Sequence, residues 1–129
     1  MSEQEKTDLL LHHFIQCAGT GDGGLVLQKI HYWLSQPNSA ETDKQGRRYV
    51  FNTLENWQKE NFFWLNVQQL GRLFRKLEKM GLIETTRAFN KNPFDRKKWY
   101  TLNYAKIKID ESIGNRFTRN DKSDHEEEV

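Results

Sequence analysis

Cysteine is nearly missing from the chain. Cys17 is the only one, so no internal disulfide forms, and a small secreted scaffold stapled by several bridges is excluded. Long hydrophobic runs are missing too. No apolar stretch approaches the 18 residues a membrane-spanning helix needs. The first residues, Met1-Ser-Glu-Gln-Glu-Lys6, are polar and acidic, unlike the basic start of a secretory signal. An excess of charge of one sign is also lacking, since 20 Lys+Arg stand against 18 Asp+Glu. What remains is 129 residues with 36% hydrophobic and 12% aromatic content. That length leads us to expect one domain with a real core and no second one. These exclusions lead us to expect a cytoplasmic, single-domain protein without a membrane partner.

The near-neutral total conceals an uneven distribution. Residues 41–109 hold 15 basic and 7 acidic residues, whereas residues 1–40 and 110–129 are net acidic by 2 and 4 charges. A basic segment between acidic ends favours a polyanionic partner, most often nucleic acid. On charge alone, a merely solvated face is an equally good reading.

Residues 8–18 place Leu10, Leu11, Phe14, Ile15 and Ala18 on one face of an amphipathic helix. The cluster Gly19–Gly24 reads as a loop after it. A second helix is expected from about Leu25 to Ser35, stopped by Pro37, followed by a polar loop over 38–46. Arg48–Phe51 is short and β-prone, which suits an edge strand. Asn52 stands as a helix cap with Glu55 three residues later, opening a helix that ends near Asn61. After the apolar turn Phe62–Leu65, Asn66 caps another helix, with Gln69 in the capping-box position. Leu65 and Leu70 form the flanking hydrophobic pair. Val67, Leu70, Phe74 and Leu77 supply its buried stripe, and Gly81-Leu82 its stop. The hydrophobic period then changes to two. Leu82–Phe89 and Lys98–Tyr104 read as strands joined by a basic, turn-rich tip. The last twenty residues read as a disordered acidic tail.

Helix, short strand, helix, tight turn, helix, hairpin is the order of a winged helix-turn-helix. The expected fold class is therefore α+β, mainly α. It has an extra N-terminal helix and a two- to three-stranded antiparallel wing. The expected organisation is residues 1–23 as that helix and a glycine-rich loop, 24–109 as the winged-helix domain, and 110–129 as the tail. In such a fold the third helix enters the major groove, where every base pair has its own donor–acceptor pattern. The polar face of helix 66–80 offers Asn66, Gln68, Gln69 and Arg72 for base reading. Gln matches adenine and Arg matches guanine bidentately. Arg75, Lys76 and Lys79 farther along suit phosphates, as do Arg87, Lys91, Arg96, Lys97 and Lys98 around the hairpin tip. Four to seven phosphate contacts correspond to a log K–log salt slope of about −4 to −6.

Several blocks carry a resemblance. They are Leu25–Leu34, Gly46–Thr53, Trp57-Gln58, Phe62–Trp64, Leu77–Ile83, Phe89–Lys91 and Asp95–Thr101. Together they resemble the N-terminal winged-helix domain of phage and plasmid replication proteins. These are replisome organisers or initiators, often with a DnaD-type region behind the DNA-binding domain. The resemblance spans about residues 24–107. It implies origin-DNA binding through Gln68, Gln69, Arg72 and the Lys91–Lys98 tip, and replication proteins as further partners. Residues 1–23 lie outside it, and an acidic segment stands where a recruiting domain would follow.

Other patterns point nowhere catalytic. Gly19, Gly21 and Gly24 have G-x-G-x-x-G spacing, but a helix precedes them where a dinucleotide site needs a strand. Adjacent His12 and His13 diverge by about 100° on a helix and do not chelate one metal. His31 reads as a packed core histidine, Cys17 as a small hydrophobe, and Trp57, Trp64 and Trp99 as core residues. No nucleophile, base and orienting group come together. The expectation is a non-enzymatic protein with no cofactor and no metal, bound to double-stranded DNA in replication initiation. The alternatives are a repressor of the same mobile element and a protein-docking module that does not read DNA. The Leu10/Leu11/Phe14/Ile15 face of residues 8–18 either pairs two copies into a homodimer or packs on its own domain.

Overall fold

The computed structural model describes residues 2–36 and 38–108, so the tail expected at 110–129 lies outside the described residues. The described chain is an α+β fold of five helices and a small four-stranded antiparallel sheet. The first helix, α1 (Glu3–Ala18), begins earlier than its apolar stripe suggests, because Ser2 and Glu5 close a capping box. Backbone and side-chain hydrogen bonds from Ser2 hold the Glu5 carboxyl below its ordinary value.

The glycine cluster is the first correction. Only Gly19 and Thr20 lie between helices, and Gly21–Gly24 form the opening turn of α2 (Gly21–Ser35), capped by Thr20. The reason is a close approach of the two helices. A Cβ on Gly24 would lie 2.7 Å from the Ile15 Cα and 2.4 Å from its Cγ1. Gly24 serves contact between two backbones, at a cost in helix propensity of about 1 kcal/mol, whereas a Cβ on Gly21 would meet nothing within 4 Å.

The strands are β1 (Glu41–Thr42), β2 (Arg48–Phe51), β3 (Ile83–Thr86) and β4 (Trp99–Leu102), in the order β1-β2-β4-β3. The edge placement expected for Arg48–Phe51 is thereby corrected. β2 pairs with β4 on one side, and β1 covers the other through Glu41 opposite Tyr49. Asp43 makes this hairpin by accepting from the Gln45 and Arg47 backbone N–H groups, 2.9 Å each. Two-residue β1 carries no hydrophobic alternation, so its sequence reads as loop.

Helix α3 (Leu54–Asn61) is capped by Thr53, whose hydroxyl accepts from the Asn56 N–H at 3.1 Å. Asn52, the expected cap, instead accepts from the Thr53 N–H. Helix α4 (Val67–Lys79) has both expected ends. Asn66 and Gln69 form the capping box. Gly81, at φ +81°, closes the other end, with Gly81 N–H bonded to the Glu78 carbonyl and Leu82 N–H to Leu77. The strand expected to run to Tyr104 stops at Leu102, and Asn103 caps a single extra turn, α5 (Tyr104–Ile107).

One core unites these pieces. Leu10, Phe14 and Ala18 of α1 join Leu27 and Ile30 of α2 and Leu70 and Leu77 of α4 within it. Of the face weighed as a dimer contact, Leu10 and Phe14 therefore lie inside the chain's own core, and Leu11 and Ile15 are half-buried. His31 is buried, with Nδ1 2.9 Å from the Tyr104 hydroxyl, as a packed histidine should be. Trp57 is core and Trp99 half-buried, but Trp64 corrects its expectation. It is 48% exposed, because its Nε1 donates to Asp22 at 3.1 Å and holds the indole at the surface.

Candidate nucleic-acid interface

Helix α4 turns its hydrophobic stripe inward so completely that its other face is polar by construction. Leu70, Phe74 and Leu77 are buried, while Gln68, Gln69, Arg72, Arg75, Lys76 and Lys79 are exposed. Gln68, Arg72, Arg75 and Lys79 follow one another at helical spacing and line up along the outer surface. Gly71 lies on the inner side where Leu54 of α3 comes close, so α3 braces the helix from behind.

The cap that fixes the start of α4 also occupies two of the expected base readers. The Asn66 side-chain oxygen accepts from the Gln69 N–H at 2.8 Å, and the Gln69 side-chain oxygen accepts from the Asn66 N–H at 2.9 Å. Bidentate recognition of adenine needs the amide oxygen as well as the amide NH₂. In Asn66 and Gln69 the capping box takes up one lone pair of each amide oxygen, whereas Gln68 and Arg72 are exposed with no internal hydrogen bond or ion pair among the described residues. Of the four expected base readers, Gln68 and Arg72 are the two whose side chains make no internal hydrogen bond among the described residues.

Beside this face runs a groove of about 340 Å³ with Leu65 and Leu73 as its apolar floor. Gln69, Arg72 and Lys76 of α4 line one side, and Thr20 and Asp22 of the α1–α2 junction the other. Residues 66–80 and the N-terminal pair of helices thus share one surface, a juxtaposition that sequence spacing does not contain.

The hairpin loop is tied to α4 and folded on itself. Glu78 of α4 accepts from the Thr85 hydroxyl at 3.0 Å and pairs with Lys98 at 3.7 Å, joining the helix to β3 and to the foot of β4. Inside the loop, the Asn90 amide donates to the Asp95 and Lys97 carbonyls and accepts from Trp99 Nε1 at 2.9 Å. Phe89 packs, with tilted rings, between Tyr49 and Trp99, with ring centroids 5.6 and 5.2 Å away.

The expected phosphate contacts divide accordingly. Lys97 pairs with Asp95 at 3.5 Å and sits over the Phe51 ring, and Lys98 pairs with Glu78. Both ion pairs are more than a third open to solvent on average and so of little strength. Arg75, Lys76, Lys79, Arg87, Lys91 and Arg96 are exposed and form no ion pair among the described residues. Arg47, not singled out by sequence, is spent inside the fold. Burial works against its charge, but the Glu84 hydrogen bond and carboxylate outweigh that and raise its pKa.

The most exposed aromatics near these elements are Phe63 and Trp64 in the α3–α4 turn, 73% and 48% exposed, and Phe94 at the hairpin tip, 87% exposed. No cluster of three or more His, Cys, Asp or Glu able to hold a metal ion occurs among the described residues. No described helix is long and apolar enough to cross a membrane. No family model matches the chain, and neither a curated protein nor a solved structure matches it.

Proposed function

We propose that the chain is a winged helix-turn-helix protein that binds duplex DNA through α4 and the 87–98 hairpin. The carrying observation is the exposed stripe Gln68–Arg72–Arg75–Lys79. Its cations carry no internal ion pair among the described residues, and Lys91 and Arg96 offer more of the same on the hairpin. Such a stripe has the width of one helix, which the major groove admits, and guanidinium and amide groups that match base edges and phosphates. The order α2, β2, α3, α4, β3, β4, with β4 between β2 and β3, supports the winged-helix reading. The biological role that goes with the sequence resemblance is replication initiation on a phage, plasmid or other mobile element, with repression of that element as its neighbour.

Anisotropy titration of a fluorescent duplex tests this. The wild type should bind with a log K–log salt slope of about −4 to −6, since each phosphate neutralised adds about 0.9. The double substitution Arg72→Ala/Arg75→Ala should abolish detectable binding while leaving the melting temperature unchanged, because both side chains are exposed. A wild type that fails to bind duplex at about 50 mM salt overturns the reading.

Phe63 and Trp64 favour a second reading, a protein-docking surface at the α3–α4 turn, because adjacent exposed aromatics are typical anchors of protein interfaces. The same titration separates the two: a docking module has no salt-dependent affinity for duplex.

A further inference from the structure

We infer that Phe94 is a wedge that enters between two stacked base pairs while the cations beside it hold the DNA backbone. This rests on the DNA-binding reading and adds a residue that neither charge nor helix patterning singles out. Phe94 is the most exposed large hydrophobic side chain described, at 87%. A lone exposed phenylalanine usually needs no explanation, and on a slack loop this one would need none.

The loop, however, is held by its own hydrogen bonds. The Phe94 N–H donates to the Asn92 side chain at 2.9 Å, and the Asp95 N–H donates to the Asn92 carbonyl at 3.0 Å. The Lys97 N–H donates to the Asp95 carboxylate at 3.0 Å, and the Asn90 side chain spans the loop to Asp95, Lys97 and Trp99. The other aromatic rings of the hairpin, Phe89 and Trp99, are packed against each other and against Tyr49 and Phe51. The loop therefore sorts its aromatics, packing two into a half-buried cluster and leaving the third outward at the tip.

The chemistry around the ring names the occupant. Lys91 and Arg96 stand three and two residues from Phe94, exposed and free of ion pairs among the described residues. An apolar protein groove would have to desolvate or displace these cations. A duplex places phosphates on either side of every base step and an apolar stack between them, the pattern that an apolar wedge flanked by Lys and Arg meets. A wedge set in a preorganised loop loses little entropy on insertion, and that gain offsets part of the unstacking cost of a few kcal/mol.

The test uses the full chain and a duplex selected by it from a random pool, with 2-aminopurine substituted at each position in turn. Unstacking raises the fluorescence of this base. The wild type should raise the signal at one step, Phe94→Ala should not, and Phe94→Leu should keep it, because an aliphatic side chain also wedges. Phe94→Ala should weaken binding about tenfold with an unchanged salt slope, since a phenyl ring neutralises no phosphate. Its melting temperature should match the wild type, which excludes misfolding as the cause. Equal 2-aminopurine signals from wild type and Phe94→Ala, with binding intact, overturn the wedge and leave DNA binding standing. A wild type that binds no duplex overturns both.

Discussion

At the scale of single residues, two glycines look alike in the sequence and have opposite meanings. Gly24 and Gly71 each sit inside a helix where alanine has the better propensity by about 1 kcal/mol. At Gly24 the added methyl would strike the Ile15 backbone at 2.7 Å, and a backbone in a packed helix pair does not yield. At Gly71 its nearest neighbours are the end of the Arg75 side chain at 3.3 Å and Leu54 at 3.5 Å, one flexible and the other at ordinary contact. Gly24→Ala should therefore destabilise the protein by about 1–3 kcal/mol, and Gly71→Ala should stabilise it by about 0.5–1 kcal/mol. Urea denaturation of both variants checks the signs. Tyr100 gives the second residue-scale prediction. Burial, with the Glu78 charge adding to it, pushes its hydroxyl up to about 12, from an ordinary value of about 10. The folded state thus favours the neutral phenol, so this contribution is intact below about pH 10 and is lost as pH rises toward 12. The difference corresponds to at most about 2–3 kcal/mol. The alkaline fall in stability should be shallower in Tyr100→Phe than in the wild type, measured by denaturation between pH 8 and 11.

At the scale of elements, α4 was legible from both ends because its stop and start signals are local. A capping box spans four residues and a Schellman stop spans six, and both lie within the segment they terminate. The caps that failed were those with competitors. Asn52 and Thr53 are adjacent and chemically able, and the geometry of the chain leaving β2 decides for Thr53. The glycine cluster failed for a different reason, since the close approach of α1 that calls for glycine at Gly24 is a packing contact between two helices. The hairpin tip was read only as basic and turn-rich, and the largest share of its internal hydrogen bonds comes from one side chain. Asn90→Ala removes three hydrogen bonds around Asp95, Lys97 and Trp99. It should cost about 1–3 kcal/mol and raise amide hydrogen exchange across 90–97 while leaving α4 protected. On the proposed function, duplex affinity should fall without a change in which bases Gln68 and Arg72 read.

At the scale of the whole molecule, α1 is the element whose standing changed most. The sequence leaves it as an amphipathic helix in need of some partner, either a second copy or its own domain. Phe14 and Leu10 are found buried with Ile30 and Leu70. Phe14→Ala should accordingly destabilise the fold by about 3–5 kcal/mol, a large share of a small domain's total, as read by urea denaturation with the mass checked by sedimentation. The expected winged-helix boundary at residue 24 thus falls inside a helix whose packing reaches back across it. What the sequence by itself determined was whatever depends on neighbours within one or two helical turns. That includes the stripe and caps of α4, the change of period after Gly81, and the basic character of the middle of the chain. Only the tertiary structure decided which polar groups are spent inside the molecule and which remain free. Arg47 is spent on Glu84, while Arg72, Arg75, Lys91 and Arg96 form no ion pair among the described residues. The reason is physical: composition counts donors and charges, but their availability depends on partners that folding brings from distant segments to within about 3 Å.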